Sequence, residues 1–217
     1  MPVVALTKMA ARKAAEGSRE RRNLDMVLAG AERSRDLLKQ VLAFSHKERD
    51  EQERRVIDVG SVLREALRMM RAMLPASIRL EEEIRPTPPI MGDPNQIQQV
   101  IVNLLTNGAQ AIGQAQGGIS VRLAPVADDT MLQLTVVDTG CGMDEAVLER
   151  IFEPFFTTKQ VGEGTGLGLS VSHGIVKDHG GRIDVASKPG QGARFDVFMP
   201  TASGSVEHGA RPVPLHS

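Results

Sequence analysis

The chain has 217 residues, a length that corresponds to one or two domains. Hydrophobic residues make up 41% of it and charged residues 24%, and this balance excludes a mainly disordered chain. The single cysteine, Cys141, excludes an internal disulfide and a multi-cysteine metal site. The net charge is −1 and there is no Trp or Tyr, so neither a basic surface nor a base-stacking platform is available and we expect no nucleic-acid partner.

The sequence gives no indication of membrane insertion or secretion. No apolar run approaches the roughly 18 residues that a membrane-spanning helix needs. The N-terminus also lacks the apolar core and cleavage site of a secretory signal. We therefore expect a cytoplasmic protein with no membrane segment in this chain.

Residues 1–55 are predicted to be helical, with a break at Gly17-Ser18. They carry 13 Lys and Arg against 9 Asp and Glu, and apolar side chains recur at helical spacing at Leu24, Leu28, Ala31, Leu38 and Leu42. Nothing else within this segment can cover such a stripe, so we predict a helical dimerisation segment and a homodimer. The alternative is that this helix packs on the domain that follows.

Residues 56–200 are predicted to form a second domain in which helices and strands mix. The predicted elements are a helix at 60–74, a strand at 78–84, a helix from 94 to about 115, strands at 119–126 and 131–137, a short helix near 144–151, a loop at 153–166, a helix at 167–179, and strands at 182–187 and 193–199. This order predicts an α/β sandwich of the α+β class, a mixed sheet with helices on one face. Residues 201–217 are predicted to be a disordered tail.

The helix after Pro94 carries two asparagines four residues apart, Asn103 and Asn107, which therefore lie on one face. Uncharged carboxamides suit phosphate oxygens and a hydrated Mg²⁺, because this ion keeps most of its waters and takes few protein ligands. By itself the pattern also fits a helix with two surface asparagines.

The stretch VVDTGCGM places Asp138 at the end of an apolar strand and glycines at positions 140 and 142. A backbone without side chains lets a flat ring approach closely, and a buried carboxylate can accept a hydrogen bond from an exocyclic amine such as that of adenine. The alternative is a tight turn after a strand.

Two further stretches come next in the order FEPFFTTK and GEGTGLGLS. The phenylalanines of the first suggest the anchor of a mobile flap or, more simply, a local apolar cluster. The glycines of the second precede a helix, and backbone amides at a helix N-terminus form an anion site. This pattern is neither a P-loop nor a dinucleotide fingerprint.

Together these four stretches, in this order and spacing, resemble the N, G1, F and G2 boxes of the sensor histidine kinases of two-component signalling, with their GHKL or Bergerat-fold ATP-binding domain. The style of FEPFFTTK followed by GTGLGLS is that of the nitrogen-sensor-like and hybrid kinases. The resemblance covers roughly residues 20–200. It implies an ATP-binding kinase core that transfers the γ-phosphate to a histidine, for relay to an aspartate of a response-regulator receiver domain.

The resemblance also implies the site residues and the cofactors ATP and Mg²⁺. Asn107 would be the Mg²⁺ ligand, Asn103 a phosphate or metal-water contact, Asp138 the adenine-amine ligand, and Lys159 a γ-phosphate contact. Residues 153–166 would form a lid over ATP or ADP. The full implied set is Asn103, Asn107, Asp138, Gly140, Gly142, Met143, Phe156, Lys159, Gly164, Thr165, Gly166, Leu167, Gly168 and Leu169.

The sequence departs from the family pattern at the phosphoacceptor. No H-D-x-N-N-x-L motif occurs, and the first ten residues resemble the segment that the family carries directly after that motif. We therefore expect the acceptor position to precede Met1 and the chain not to phosphorylate itself. His46 is a weak alternative acceptor, because it lies where the family ends its second helix. Ala193 stands where the family often has threonine.

Two other functions remain open from the sequence. One is a non-catalytic dimeric adaptor or pseudokinase with a degenerate nucleotide site. The other is an ATPase of the gyrase or mismatch-repair type, although the asparagine helix offers no general-base glutamate.

Overall fold

A five-stranded mixed sheet with helices packed on it forms the larger part of the described chain. The computed structural model describes residues 7, 9–11, 14, 18–28, 54–126, 129–159 and 164–202. The chain divides into two compact units, Met1–Glu48 and Arg49–Ser217. In the second unit the elements are β1 (Arg55–Ile57), α1 (Val59–Met73), β2 (Ile78–Ile84), β3 (Ile90–Gly92), α2 (Pro94–Ile112), β4 (Gly117–Val126), β5 (Met131–Asp138), α3 (Glu145–Leu148), α4 (Gly168–Asp178), β6 (Arg182–Ser187) and β7 (Ala193–Pro200).

The strand order of the large sheet is β2-β4-β5-β7-β6. β2 and β4 are parallel, in register from Ile78 opposite Gly117, and the other three pairings are antiparallel. The prediction of a mixed sheet is therefore confirmed. The sequence did not predict β1 and β3, which pair antiparallel in a separate two-stranded sheet, because three-residue strands are too short to show an alternating pattern.

Alternation along the strands separates an apolar face from a polar one. The helices pack on the face that carries the fully buried side chains Ile119, Leu123, Leu132, Leu134 and Met199. On β7 the intervening positions carry Arg194 and Asp196, which form an ion pair at 2.6 Å. One face is thus solvated, as antiparallel sheets allow.

Three of the four helices described in the second unit begin at an aspartate cap. The carboxylates of Asp58, Asp93 and Asp144 accept hydrogen bonds from backbone amides in the first turns of α1, α2 and α3. α4 differs, because its N-cap is Leu167 and no side chain caps it. The first amides of α4 therefore have no side-chain acceptor.

Bonds at both ends of the described part of the second unit tie residues just outside the predicted range 56–200 to that range. Residue 55 belongs to β1, and Nη2 of Arg54 donates to the carbonyl of Asp178 at 2.7 Å, so the domain includes Arg54. At the other end Thr201 is fully buried, and its hydroxyl donates to the carbonyl of Asp129 at 2.8 Å. The amide of Ala202 donates to the carbonyl of Pro89 at 2.7 Å, and the rest of the predicted tail lies outside the described residues.

The first unit is described mainly by a helix at residues 19–28. It begins after Ser18, whose hydroxyl accepts a hydrogen bond from the amide of Arg21 at 3.1 Å, so the predicted break at Gly17-Ser18 coincides with a helix start. Leu24 and Leu28 are half-buried, and the rest of the predicted apolar stripe lies outside the described residues, as does His46. No helix within the described ranges is both long enough and apolar enough to cross a membrane.

Candidate functional site

The candidate site is built around α2, which contacts the other three stretches singled out in the sequence. A Cβ added to Gly108 would lie 3.1 Å from Cβ of Asp138, and the amide of Cys141 donates to the carbonyl of Ala111 at 3.1 Å. Near the middle of the helix, Asn103 contacts Gly168 at the start of α4. Asn107 lies between these contacts and is half-buried.

Asn103 joins α2 to α4. Its Nδ2 donates to the carbonyl of Gly168 at 3.1 Å and to the hydroxyl of Ser172 at 3.2 Å. The Ser172 hydroxyl in turn donates to the carbonyl of Gly168 at 2.9 Å. The amide group of Asn103 is therefore already engaged in fixing the first turn of α4.

Asp138 ends β5 as a buried carboxylate. Its Oδ1 accepts a hydrogen bond from the amide of Gly140 at 2.8 Å, and the residue is 4% exposed. Burial raises the pKa of Asp138, because a charged carboxylate loses its hydration there, while the backbone amides of Gly140 and Ala193 oppose this shift. A hydrogen-bond donor that contacts this carboxylate would therefore offset part of the cost of its burial.

Glycines allow the loop after Asp138 to pack closely. A Cβ on Gly140 would lie 2.6 Å from the backbone of Ala111, and one on Gly192 would lie 1.9 Å from the carbonyl oxygen of Asp138. Gly142 has φ +68, and a Cβ there would lie 2.0 Å from the carbonyl oxygen of Lys188. Any side chain at these positions would push the loop away from its neighbours.

Met143 and Phe156 contact elements other than α2. The amide of Met143 donates to the hydroxyl of Ser187 at 2.9 Å, and that hydroxyl donates to the carbonyl of Gly192 at 2.7 Å. The guanidinium of Arg150 lies over the Phe156 ring at 4.3 Å. Both side chains are half-buried.

The phenylalanine stretch is attached to the start of α4. The ring of Phe152 lies 4.8 Å from that of His173 on α4. Phe155 is 67% exposed, has φ +67, and its amide donates to the carbonyl of Gly166 at 2.9 Å. Phe155 and Gly166 lie near the two ends of the predicted lid, residues 153–166, and the hydrogen bond between them brings these ends together.

Lys159 lies against α2. Its ammonium donates to Oε1 of Gln110. Burial lowers the pKa of Lys159, and the neighbouring Cys141 thiol opposes that shift. A Cβ on Gly164 would lie 2.8 Å from the hydroxyl of Thr157 and 3.0 Å from Cδ of Lys159. Gly164 therefore lies beside Thr157 and Lys159.

The loop before α4 leads into a helix start that has no side-chain cap. Gly166 has φ +65, and the Thr165 hydroxyl accepts a hydrogen bond from the amide of Leu167 at 3.3 Å. Leu167 is buried and Leu169 is half-buried against the core, which holds the uncapped turn in place. A helix N-terminus with unengaged amides favours a bound anion.

The family model of histidine kinase-, DNA gyrase B- and HSP90-like ATPases matches residues 92–203, which is more than half of the chain. The chain belongs to this family. The match begins just before α2 and ends just after Ala202, so it contains all four of the stretches described above.

Similar proteins place the chain among the sensor histidine kinases. Sensor kinase CckA of Brucella abortus is 38% identical over 183 residues, which cover 78% of this chain and 19% of CckA. The catalytic domain of histidine kinase ThkA is 30% identical, with a TM-score of 0.58, and the match covers 69% of this chain and 96% of that domain. Full-length ShkA, solved with AMPPNP, shares the fold at 23% identity with a TM-score of 0.73, over 93% of this chain and 44% of ShkA.

The chain thus spans about a fifth of the length of CckA. The prediction that it resembles a GHKL sensor histidine kinase is confirmed, and so is the α/β sandwich. The similar proteins CckA and ThkA are both named as kinases. They therefore do not favour the alternative of an ATPase of the gyrase or mismatch-repair type.

Sequence reasoning missed several residues that shape the site. Gly108 permits the close approach of α2 to Asp138, and the side-chain oxygen of Gln110 accepts a hydrogen bond from the Lys159 ammonium. Ser187 links the loop at Met143 to Gly192. The alternating glycines around position 190 were the available signal for the last of these, whereas Gly108 and Gln110 are ordinary helix residues in the sequence.

Proposed function

We propose that this chain binds Mg-ATP and supplies the kinase step of a sensor histidine kinase. The γ-phosphate would pass to a histidine that this sequence does not contain in the family motif, for relay to an aspartate of a response-regulator receiver domain. The observation that carries the proposal is that one helix, α2, contacts both a buried carboxylate and an uncapped helix N-terminus.

Asp138 suits the adenine end of the nucleotide. Its Oδ1 accepts a hydrogen bond from the amide of Gly140, and the carboxylate would accept a further one from the exocyclic amine. The glycines of the following loop leave the backbone open to a flat ring. Met143, Gly140 and Gly142 belong to this end of the proposed site.

The start of α4 suits the phosphates. Its first amides lack the aspartate cap of the other three helices, and the helix dipole favours negative charge there. Lys159 would add a positive charge near the γ-phosphate, and burial lowers its pKa. The proposed phosphate contacts are Gly164, Thr165, Gly166, Leu167, Gly168 and Leu169, with Phe156 anchoring the lid.

Asn107 is the proposed protein ligand of Mg²⁺. The described residues contain no group of three or more His, Cys, Asp or Glu side chains that could hold a metal. An ion held by one carboxamide, water and phosphate oxygens matches the preference of magnesium. When bound, Mg²⁺ would neutralise charge on the phosphate oxygens.

The reaction needs positioning and charge neutralisation. The imidazole nitrogen of the acceptor forms a bond to the γ-phosphorus while the bond to the β–γ bridging oxygen breaks, and ADP leaves. α2 carries no Asp or Glu, so it provides no general base to activate water. That composition supports transfer to an acceptor over steady hydrolysis. The proposed arrangement is a homodimer through residues 1–55.

Two measurements on the full chain test this function. ADP with Mg²⁺ should raise the melting temperature, because a ligand that binds only the native state stabilises it. Incubation with γ-labelled ATP should leave the chain unlabelled. Stoichiometric acid-labile label would contradict the prediction that the acceptor is missing and would favour His46 as the acceptor. The absence of any thermal shift with adenine nucleotides would favour the adaptor hypothesis.

A further inference from the structure

His179 occupies a buried position between the two helices of the proposed site. It follows the last residue of α4 and is only 6% exposed. Its Nδ1 lies 2.7 Å from the carbonyl oxygen of Ile175, one turn earlier in α4, and its Nε2 lies 3.4 Å from the amide nitrogen of Asp93. Asp93 is the N-cap of α2. A single imidazole therefore contacts the end of one helix and the start of the other.

These contacts define one protonation state. The Ile175 carbonyl accepts only, so Nδ1 carries the proton, and the Asp93 amide donates only, so Nε2 must be unprotonated. Burial lowers the pKa of His179, and the Ile175 carbonyl opposes this. Among the charged groups that face the ring, Arg54 also lowers the pKa, while Asp93 and Asp178 raise it. The neutral Nδ1–H form is the one that fits both neighbours.

The surrounding chain leaves room for the ring. A Cβ added to Gly92 would lie 2.8 Å from Cδ2 and Nε2 of His179. Arg54 donates to the carbonyl of Asp178 beside it, which satisfies another acceptor at the end of α4. The ring is thus enclosed by β3, the end of α4 and the start of α2.

His179 forms the second of two hydrogen-bonded links between α2 and α4 in the part of the chain that the structure describes. The first is Asn103, which binds Gly168 and Ser172 at the start of α4. The helices run antiparallel, since the middle of α2 meets the start of α4 and the start of α2 meets its end. On α2 the links are ten residues apart, about 15 Å, and on α4 they are eleven residues apart, about 16 Å. Two links at matched spacing fix how far one helix can slide or pivot against the other.

We propose that His179 is a positioning residue for the nucleotide site, which holds the uncapped N-terminus of α4 in register with Asn107 of α2 through its hydrogen bond to the amide of Asp93. This inference rests on the proposed nucleotide binding and concerns the geometry of that site. Without the link, Asn103 is the remaining hydrogen-bonded connection between α4 and α2 among the described residues, and the amides of α4 sample orientations that do not meet the phosphates.

Two amide variants of His179 separate its proposed role as a link to α2 from a role that is limited to capping the end of α4. Glutamine at position 179 places an oxygen near the position of Nε2 and keeps the acceptor for Asp93. Asparagine places its amide near the position of Nδ1 and keeps the donor for Ile175 but does not reach Asp93. The two substitutions therefore each retain one of the two bonds.

The experiment measures the Kd of ADP in excess Mg²⁺ by calorimetry, on the full chain at pH 7.5 and well below each melting temperature. We expect His179→Gln to bind within about twofold of wild type, and His179→Asn and His179→Ala to bind about five- to tenfold more weakly, as a coupling between sites predicts. Lys177→Gln, an exposed change on the same helix, is the matched control and should bind as wild type does.

The opposite order would overturn the inference. If His179→Asn binds as tightly as wild type, or His179→Gln as weakly as His179→Ala, the link to Asp93 does not position the site, although nucleotide binding stands. If wild type itself binds no ADP, the proposed function fails as well. A nitrogen NMR spectrum at pH 7.5 gives a second readout, in which the Nδ1–H tautomer of His179 is expected and a doubly protonated ring would contradict the assignment.

Discussion

At the scale of single residues, Asp138 is a buried carboxylate that lowers the stability of the free protein at neutral pH and is the proposed ligand of the adenine amine. It is a carboxylate buried at a strand end, and burial raises its pKa above the ordinary value of 3.8. A raised folded-state pKa means that the stability contributed by this group is complete below pH 3.8 and is lost as the pH rises through the folded-state pKa. At neutral pH the ionised carboxylate therefore costs stability in the free protein.

Asp138→Asn should raise the melting temperature of the free protein and weaken ADP binding by more than about tenfold, the effect of losing one hydrogen bond to a charged group. The asparagine oxygen can still accept the hydrogen bond from the amide of Gly140. Its NH2 group, however, is a donor and cannot accept a hydrogen bond from the adenine amine. Differential scanning fluorimetry and calorimetry measure the two effects.

Asp196→Asn is the matched control on the solvated face of the same sheet. Partial burial raises the pKa of Asp196, but hydrogen bonds from Arg194, Thr135 and Gln133 outweigh this and hold it below the usual value. Its stabilising contribution is present above pH 3.8 and is lost as the pH falls, so this change should lower the melting temperature at neutral pH and leave ADP binding intact. Wild-type affinity in Asp138→Asn would refute the adenine assignment.

At the scale of elements, α2 is the organising helix of the site. It buries Ile97, Ile101, Leu104 and Leu105 on one side. Its polar positions serve two different purposes, because Asn103 is bonded to α4, whereas Asn107 is the proposed magnesium ligand. The two asparagines look alike in the sequence and differ in what surrounds them.

The two asparagines should therefore respond differently to alanine. Asn103→Ala removes the bonds to Gly168 and Ser172 and should lower the free energy of unfolding by about 1–2 kcal/mol. Asn107→Ala should change it by less than about 0.5 kcal/mol and should abolish the gain in ADP affinity that Mg²⁺ gives. Urea unfolding, with ADP titrations in Mg²⁺ and in EDTA, measures both. Equal losses of stability in the two variants would contradict this division of roles.

At the scale of the whole molecule, the described part of the second unit runs from Arg54 to Ala202, apart from residues 127–128 and 160–163. Arg54 is bonded to the end of α4, and Thr201 and Ala202 are bonded to the loops at Asp129 and Pro89. These hydrogen bonds attach both ends of this segment to the rest of the unit. The unit contains every residue of the proposed nucleotide site.

A fragment of residues 54–202 should fold in one cooperative transition and bind ADP with the affinity of the full chain. A fragment of residues 54–200 should melt at a lower temperature, because it loses the buried Thr201 and leaves the Asp129 carbonyl without that donor. Thermal denaturation of the two fragments tests this, and identical melting temperatures would show that Thr201 contributes nothing.

The local features of this protein could be predicted from its amino-acid sequence. Asp93-Pro94 marked the start of α2, the alternating pattern indicated β2 and β6 with their observed ends, and four short stretches in order indicated the family. These features depend on residues within a few positions of one another, where helix and strand periodicity and capping act. The roles of the individual site residues, the magnesium ligand and the dimer stay predictions.

Which residues work together depends on tertiary packing. The bond from Asn103 to Gly168 spans 65 positions, and the contact of His179 with Asp93 spans 86. Neither pair has a local signal, because the antiparallel packing of α2 and α4 that creates both contacts arises when the helices bury their apolar faces against the sheet. The pairing of β1 with β3 and the burial of Thr201 likewise depend on contacts between residues far apart in the sequence, so no local pattern predicts them.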